Sequence, residues 1–146
     1  MRAFLDKGED ANSEIENNKT ALDLAAARGN LDVVLLLIER GADVDSRDSY
    51  GWTPLHKAAR HGLVQVSREL ISHGANVNAT KQDHWTPIHV SARNGRLGVV
   101  KLLLEQGADV RALTDEGRTP YQLASGKGHR KVADLLLEYE RGERGA

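Results

Sequence analysis

The chain has no cysteine, only three prolines, one methionine and one phenylalanine. Without cysteine it can form neither a disulfide framework nor a thiolate metal site, which fits an intracellular protein. It also lacks an excess of one charge. Twenty Lys and Arg stand against 21 Asp and Glu, a formal net charge of −1, and that balance gives no case for nucleic acid or an anionic membrane as partner. Long apolar runs are missing as well. The longest, Val33 to Ile38, falls far short of the ~20 residues a membrane span needs. The N-terminus lacks the basic-then-apolar layout of a signal peptide. There is no Ser-His-Asp arrangement, no phosphate-binding glycine loop and no Cys-His pair.

What the chain does have is a ruler. Gly51-Trp52-Thr53-Pro54-Leu55-His56 returns 33 residues later as His84-Trp85-Thr86-Pro87-Ile88-His89, and again as Gly117-Arg118-Thr119-Pro120-Tyr121-Gln122. A worn copy, Asn18-Lys19-Thr20-Ala21-Leu22-Asp23, lies one period earlier. Gly29, Gly62, Gly95 and Gly128 keep the same spacing, as do Gly8, Gly41, Gly74 and Gly107. A constant period in this range means a stacked solenoid, in which each unit buries its apolar face against its neighbours. The units run 15–47, 48–80 and 81–113, with a C-terminal capping unit at 114–146 and the end of a partial one at 1–14, all within a single domain of 1–146. Val66-Ser67 against Val99-Val100 makes the units less alike than engineered copies would be.

Each unit repeats the same local physics. The motif threonine suits a helix N-cap, and proline at the next position gives up an N–H that the first turn cannot use. Asp23, His56, His89 and Gln122, three residues on, can return a bond in a capping box. The first helix is short, Leu55 to about Arg60 in the second unit, and a left-handed glycine ends it. A second helix carries the apolar stripe: Val33, Val34, Leu37 and Ile38 match Val99, Val100, Leu103 and Leu104. The small pairs Ala25-Ala26, Ala58-Ala59 and Ser91-Ala92 let two helix layers approach closely. Leu35 stands where Arg68 and Lys101 stand and is expected to face solvent. Gly98 stands among Asp32, Gln65 and Lys131, an exposed place that asks nothing of the backbone, so Gly98→Ala is expected to stabilise. In the last unit Arg130 replaces an apolar residue and Glu140 the closing glycine. Gly142 to Ala146 reads as a frayed tail.

At these residues the chain resembles the ankyrin repeat family: Gly-x-Thr-Pro-Leu-His, Ala-Ala, Gly, then an apolar run and Gly-Ala-Asp/Asn-Val. The resemblance runs from end to end. It implies an all-α solenoid of helix-turn-helix repeats joined by β-hairpin-like loops, and a non-enzymatic protein that binds another protein or peptide in a concave groove without a cofactor. Carried over residue by residue, the groove comprises Tyr50, Trp52, Arg60 and His61, then Gln82, Asp83, Trp85, Arg93 and Asn94, flanked by Lys19 and Arg28 on one side and Glu116, Arg118 and Lys127 on the other. Both tryptophans and one of three tyrosines fall on this strip, and Trp, Tyr and Arg are enriched in binding hot spots. An aromatic before the motif threonine can equally pack on the next hairpin, and the two roles are compatible. Alternatives are a scaffold or spacer piece of a longer array, and an inhibitory or regulatory subunit of an enzyme.

Six histidines raise the question of a metal. His56 and His89 sit in adjacent repeats, about 10 Å apart by general layer spacings, whereas zinc ligands converge to about 2 Å from one centre; capping explains both. His84 takes the turn place of Gly51 and Gly117, where a positive φ is expected. Met1 to Leu5 read as the last turn of a second helix, so the chain opens in mid-repeat, with Phe4 and Leu5 available to cover the first unit. A monomer is expected, weak self-association through the thinly covered first repeat being the one route to a dimer.

Overall fold

A computed structural model describes residues 11–15 and 19–142. Four helix pairs follow one another: α1 (Ala21–Arg28) with α2 (Leu31–Glu39), α3 (Pro54–Arg60) with α4 (Val64–Ser72), α5 (Pro87–Arg93) with α6 (Leu97–Glu105), and α7 (Pro120–Gly126) with α8 (Arg130–Glu140). The first helices of the pairs stack on one another in order, the second helices do the same, and each helix packs on its own partner. The result is a two-layered, all-helical solenoid.

The local reasons are those of the motif. Thr20, Thr53, Thr86 and Thr119 hold extended backbone at the four N-caps. Their N–H groups donate to Asp23 (2.9 Å), His56 (3.2 Å), His89 (3.0 Å) and Gln122 (2.9 Å). Each box thereby satisfies donors that the first turn leaves without helical partners. At Gly95 (φ 68°), which follows α5, two demands coincide. The backbone is left-handed, and an added Cβ would lie 2.6 Å from His129 of the next repeat. His129 Nε2 in turn bonds the Arg93 carbonyl at 3.0 Å, as Arg96 Nε bonds that of Arg60 at 3.1 Å. One repeat's second helix thus caps the preceding repeat's first.

No strand forms among the described residues beyond one bridge, Glu14 with Thr20. The loops are nevertheless hairpin-like. Asp48 N–H reaches the Trp52 carbonyl at 3.1 Å, Lys81 that of Trp85 at 2.9 Å, and Thr114 that of Arg118 at 3.0 Å. Successive tips are joined by Gln82 N–H to Tyr50 O (3.0 Å) and Asp115 N–H to Asp83 O (2.9 Å). A side-chain ladder locks the same register lower down: Asn12 accepts from Asp43 N–H at 2.6 Å, Asp45 from Asn76 at 3.0 Å, Asn78 from Asp109 at 2.8 Å.

The core follows the ruler. Leu22, Leu55 and Ile88 in the first layer and Leu37, Leu70, Leu103 and Leu136 in the second are fully buried, with Ala25, Ala26, Ala58, Ala59, Ser91 and Ala92 as the small residues between. Truncating one such leucine to alanine costs about 2–5 kcal/mol. The stripe of α6 is buried throughout, whereas in α2 Val34 and Leu37 are buried and Val33 and Ile38 only half so.

Four expectations are corrected or bounded. Leu35 is half-buried, less open than its place in the row predicts, though it is not among the residues packed on the core. Gly142 does not belong to a tail: it is left-handed (φ 73°), donates its N–H to Tyr139 O at 3.1 Å, and closes a helix that continues through Glu140. Gly98 is exposed, yet its place is not free of demands, since an added Cβ would stand 2.9 Å from Val64 Cγ2 of the preceding repeat. Met1 to Leu5, with the covering role of Phe4 and Leu5, and Glu143 to Ala146 of the expected tail lie outside the described residues.

Candidate functional site

Trp52 and Trp85 each occupy the last loop position before an N-cap threonine, and each ring meets the capping histidine of its own repeat. The centroid separations are 5.9 Å for Trp52 and His56, edge-on at 72°, and 6.0 Å for Trp85 and His89, tilted at 54°. Those histidines are fixed on both sides. His56 Nδ1 lies 2.8 Å from Thr53 Oγ1 and Nε2 lies 2.9 Å from the Trp85 carbonyl. His89 repeats the pattern with Thr86 (2.8 Å) and the Ala112 carbonyl (2.9 Å). A carbonyl can only accept, so Nε2 carries the proton and Nδ1 accepts from threonine. Burial pushes the His56 imidazole down to about 4, reinforced by the Lys81 and Arg47 charges, and it lowers His89 too. With both nitrogens committed, neither ring is free to ligate a metal or move a substrate proton. Among the described residues no group of three or more His, Asp or Glu is placed to hold a metal ion, and no helix is long and apolar enough to cross a membrane.

Between the tryptophans lies an open cleft of about 450 Å³, lined by Trp52, Arg60, Lys81, Asp83, Trp85, Val90, Arg93, Asn94 and Glu116. Seven of the residues assigned to the groove from sequence thus come together. Tyr50 and His61 line a neighbouring hollow of about 280 Å³, which shares Trp52 and Arg60 with the cleft and includes Lys19, Asp48 and Lys57. Gln82, Arg118, Arg28 and Lys127 line neither. Gln82 contributes its backbone N–H to the tip-to-tip bond, and the Arg118 carbonyl accepts from His89 Nε2 at 3.2 Å. Tyr50 is well exposed at 61 %, while Trp52 and Trp85 are half-buried. The tryptophans therefore pack and line the cleft at once.

Sequence reasoning missed Lys81, although the ruler carried a signal. Lys81 stands where Asp48 and Thr114 stand. Asp48 Oδ1 accepts from Tyr50 N–H (2.9 Å) and Trp52 N–H (3.0 Å), and its Oδ2 pairs with Lys57 at 3.1 Å. Thr114 accepts from Arg118 N–H at 3.2 Å. Lysine has no acceptor, so the third loop turns differently. Asp83 (φ 68°) and His84 (φ 63°) are both left-handed, where the other loops use Gly51 or Gly117. The expected positive φ at His84 is present, joined by Asp83. His84 also pairs with Asp115 across the tips. Released from turn closure, the Lys81 ammonium sits 4.7 Å from the Trp52 ring centroid and 5.6 Å from that of Trp85, with Arg60 5.8 Å from Trp52. Burial holds the Lys81 amine below its ordinary range, against the raising influence of Asp83 and Asp48.

A family model described as ankyrin repeats (3 copies) matches residues 1–81 and 69–144. A comparison with curated proteins gives no match.

Proposed function

Because the chain belongs to the ankyrin repeat family, whose repeats are generally protein–protein interaction modules, we propose that it is a non-enzymatic module that binds a partner protein or peptide through the Trp52–Trp85 cleft. One observation carries this reading. The only two tryptophans of the chain border one open cleft, flanked by the paired arginines Arg60 and Arg93. Aromatic and arginine side chains around a partly desolvated pocket are the composition of interface hot spots. Loop tips fixed tip-to-tip by backbone bonds present them at little ordering cost, which favours binding. The reading includes a monomer working inside the cell without a cofactor; a fold held together without disulfides fits that setting.

The test begins with ligands selected from a displayed random-peptide library on the whole chain. In ¹H–¹⁵N spectra such a ligand should shift both indole N–H resonances together with the backbone of Arg60, Lys81 and Arg93. Shifts confined to α2, α4, α6 and α8 would place binding on the other layer and refute the proposal.

A further inference from the structure

We infer that the cleft between Trp52 and Trp85 receives an acidic side chain of a peptide segment, its carboxylate paired with the Lys81 ammonium; this rests on the cleft being the binding site. Three observations lead there. First, Lys81 breaks the local rule of its own loop. An acceptor in its place serves the turn in the second and fourth repeats, and the third gives that up for two consecutive left-handed residues with side chains. Asp and His are among the residues that tolerate the left-handed region, so this turn closes without an acceptor at its start, and the Lys81 side chain is left to the cleft.

Second, the ammonium is positioned but unpaired. It lies over two indole rings at 4.7 and 5.6 Å, geometry that fixes it by cation–π attraction. Lys81 takes part in no ion pair among the described residues, whereas Lys57 of the neighbouring hollow is paired with Asp48. Asp83 lines the same cleft and remains outside ion-pair distance. A partly desolvated cation without an ion-pair partner, eased only by the more distant Asp83 and Asp48 charges, gains from an incoming anion.

Third, the charge count selects the kind of anion. Arg60, Lys81 and Arg93 face Asp83 and Glu116, which leaves one uncompensated positive charge. One carboxylate matches it. A phosphate, at about −1.5 to −2, would overshoot and meet the two acids already there. The indole walls suit the methylenes that carry a glutamate carboxylate.

The experiment uses the whole chain, the library selection above and intrinsic fluorescence, since both tryptophans border the cleft. Selected peptides should share an Asp or Glu. In synthetic versions, Glu→Gln should weaken binding on the order of ten- to hundredfold, the loss expected when a charged hydrogen bond goes. Phosphoserine at that position should bind no better than Glu. Lys81→Met, which keeps the stem, should remove the distinction between Glu and Gln peptides, and Lys81→Glu should shift selection towards Lys and Arg; circular dichroism verifies that both variants fold. If peptides shift both indoles but show no acidic preference, or if Lys81→Met leaves the Glu–Gln difference intact, this inference fails while the cleft stands. If phosphoserine binds more tightly than Glu, the cleft is a phosphate site and the inference is wrong. If selection returns no peptide that the double variant Trp52→Ala/Trp85→Ala abolishes, both readings fail.

Discussion

Acid should weaken this fold well above the range in which carboxylates protonate, and His56 is the reason. Its ring is fully buried, is bonded through both nitrogens, and has a folded-state pKa of about 4. In the unfolded chain the same group titrates near 6.5. The unfolded state therefore binds the proton first. Stability from this group is complete above about pH 6.5, falls as the pH drops, and levels off below about 4. By linkage the loss from His56 alone between pH 8 and pH 5 is about 2 kcal/mol. His89 moves in the same direction. Asp23, at the equivalent place in the first repeat, opposes it: burial raises its carboxyl, so its protonated form favours the fold as the pH falls towards the acid range. Urea unfolding followed by circular dichroism at pH 8 and pH 5 gives the total, and His56→Gln isolates the share of His56. Gln122 shows that glutamine can serve the same box. The variant will be weaker at pH 8 for want of the ring, yet its loss between pH 8 and pH 5 should be smaller than that of the parent by about 2 kcal/mol. A ¹H titration of the His56 ring should find its midpoint near 4. Equal pH sensitivity in both proteins, or a midpoint near 6.5, would mean that His56 is not the source of the acid sensitivity.

Three further predictions concern stability. Ser67 is fully buried where Val34 and Val100 stand, and its hydroxyl has no partner among the described residues. Ser67→Val should therefore raise stability by about 1–2 kcal/mol in urea unfolding; a loss would mean that the site has no room for the added methyl. Gly98→Ala gains about 0.5–1 kcal/mol of helix propensity but drives a Cβ to 2.9 Å from Val64 Cγ2, and a helical valine has one strongly preferred rotamer. The single variant should be neutral or destabilised, and the same change made in a Val64→Ala background should stabilise; a clear gain in the single variant would show that Val64 yields freely. Because Val33 and Ile38 are half-buried where Val99 and Leu104 are buried, amides of α2 should exchange with deuterium faster than those of α6. Equal protection would mean either a better cap on the first repeat than the sequence suggests or a dimer built on that face.

How much of this was legible in the sequence follows from the range of each interaction. Thr53 with His56, and Thr86 with His89, close within one helical turn, so spacing alone predicts them. The leucine and alanine rows repeat because every repeat solves the same packing problem. Gly98 reads as unconstrained from sequence because its limiting contact, Val64, belongs to the neighbouring repeat and has no signature in the local pattern. Leu35 stands in a row of charged residues but is half-buried in the first repeat, a matter of neighbours and not of periodicity. Gly142 reads as tail from sequence because α8 runs past the place where Gly107 ends its counterpart. At the cleft, Trp52, Trp85, Arg60 and Arg93 come together from their places on the ruler. Lys81 was overlooked because its meaning lies in what it replaces: the acceptor role of Asp48 and Thr114 becomes visible only once their bonds to the loop N–H groups are seen.

In the proposed function the two tryptophans form a binding surface beyond their packing role. This is tested most directly by the affinity of a library-selected ligand for Trp52→Ala and Trp85→Ala, measured by calorimetry beside a thermal melt of each variant. Each truncation should cost ~2 kcal/mol or more of binding, about 30-fold in Kd, with the helical spectrum kept. Undiminished affinity in both variants, accompanied by a large fall in Tm, would leave the tryptophans as packing residues alone and place the binding surface elsewhere.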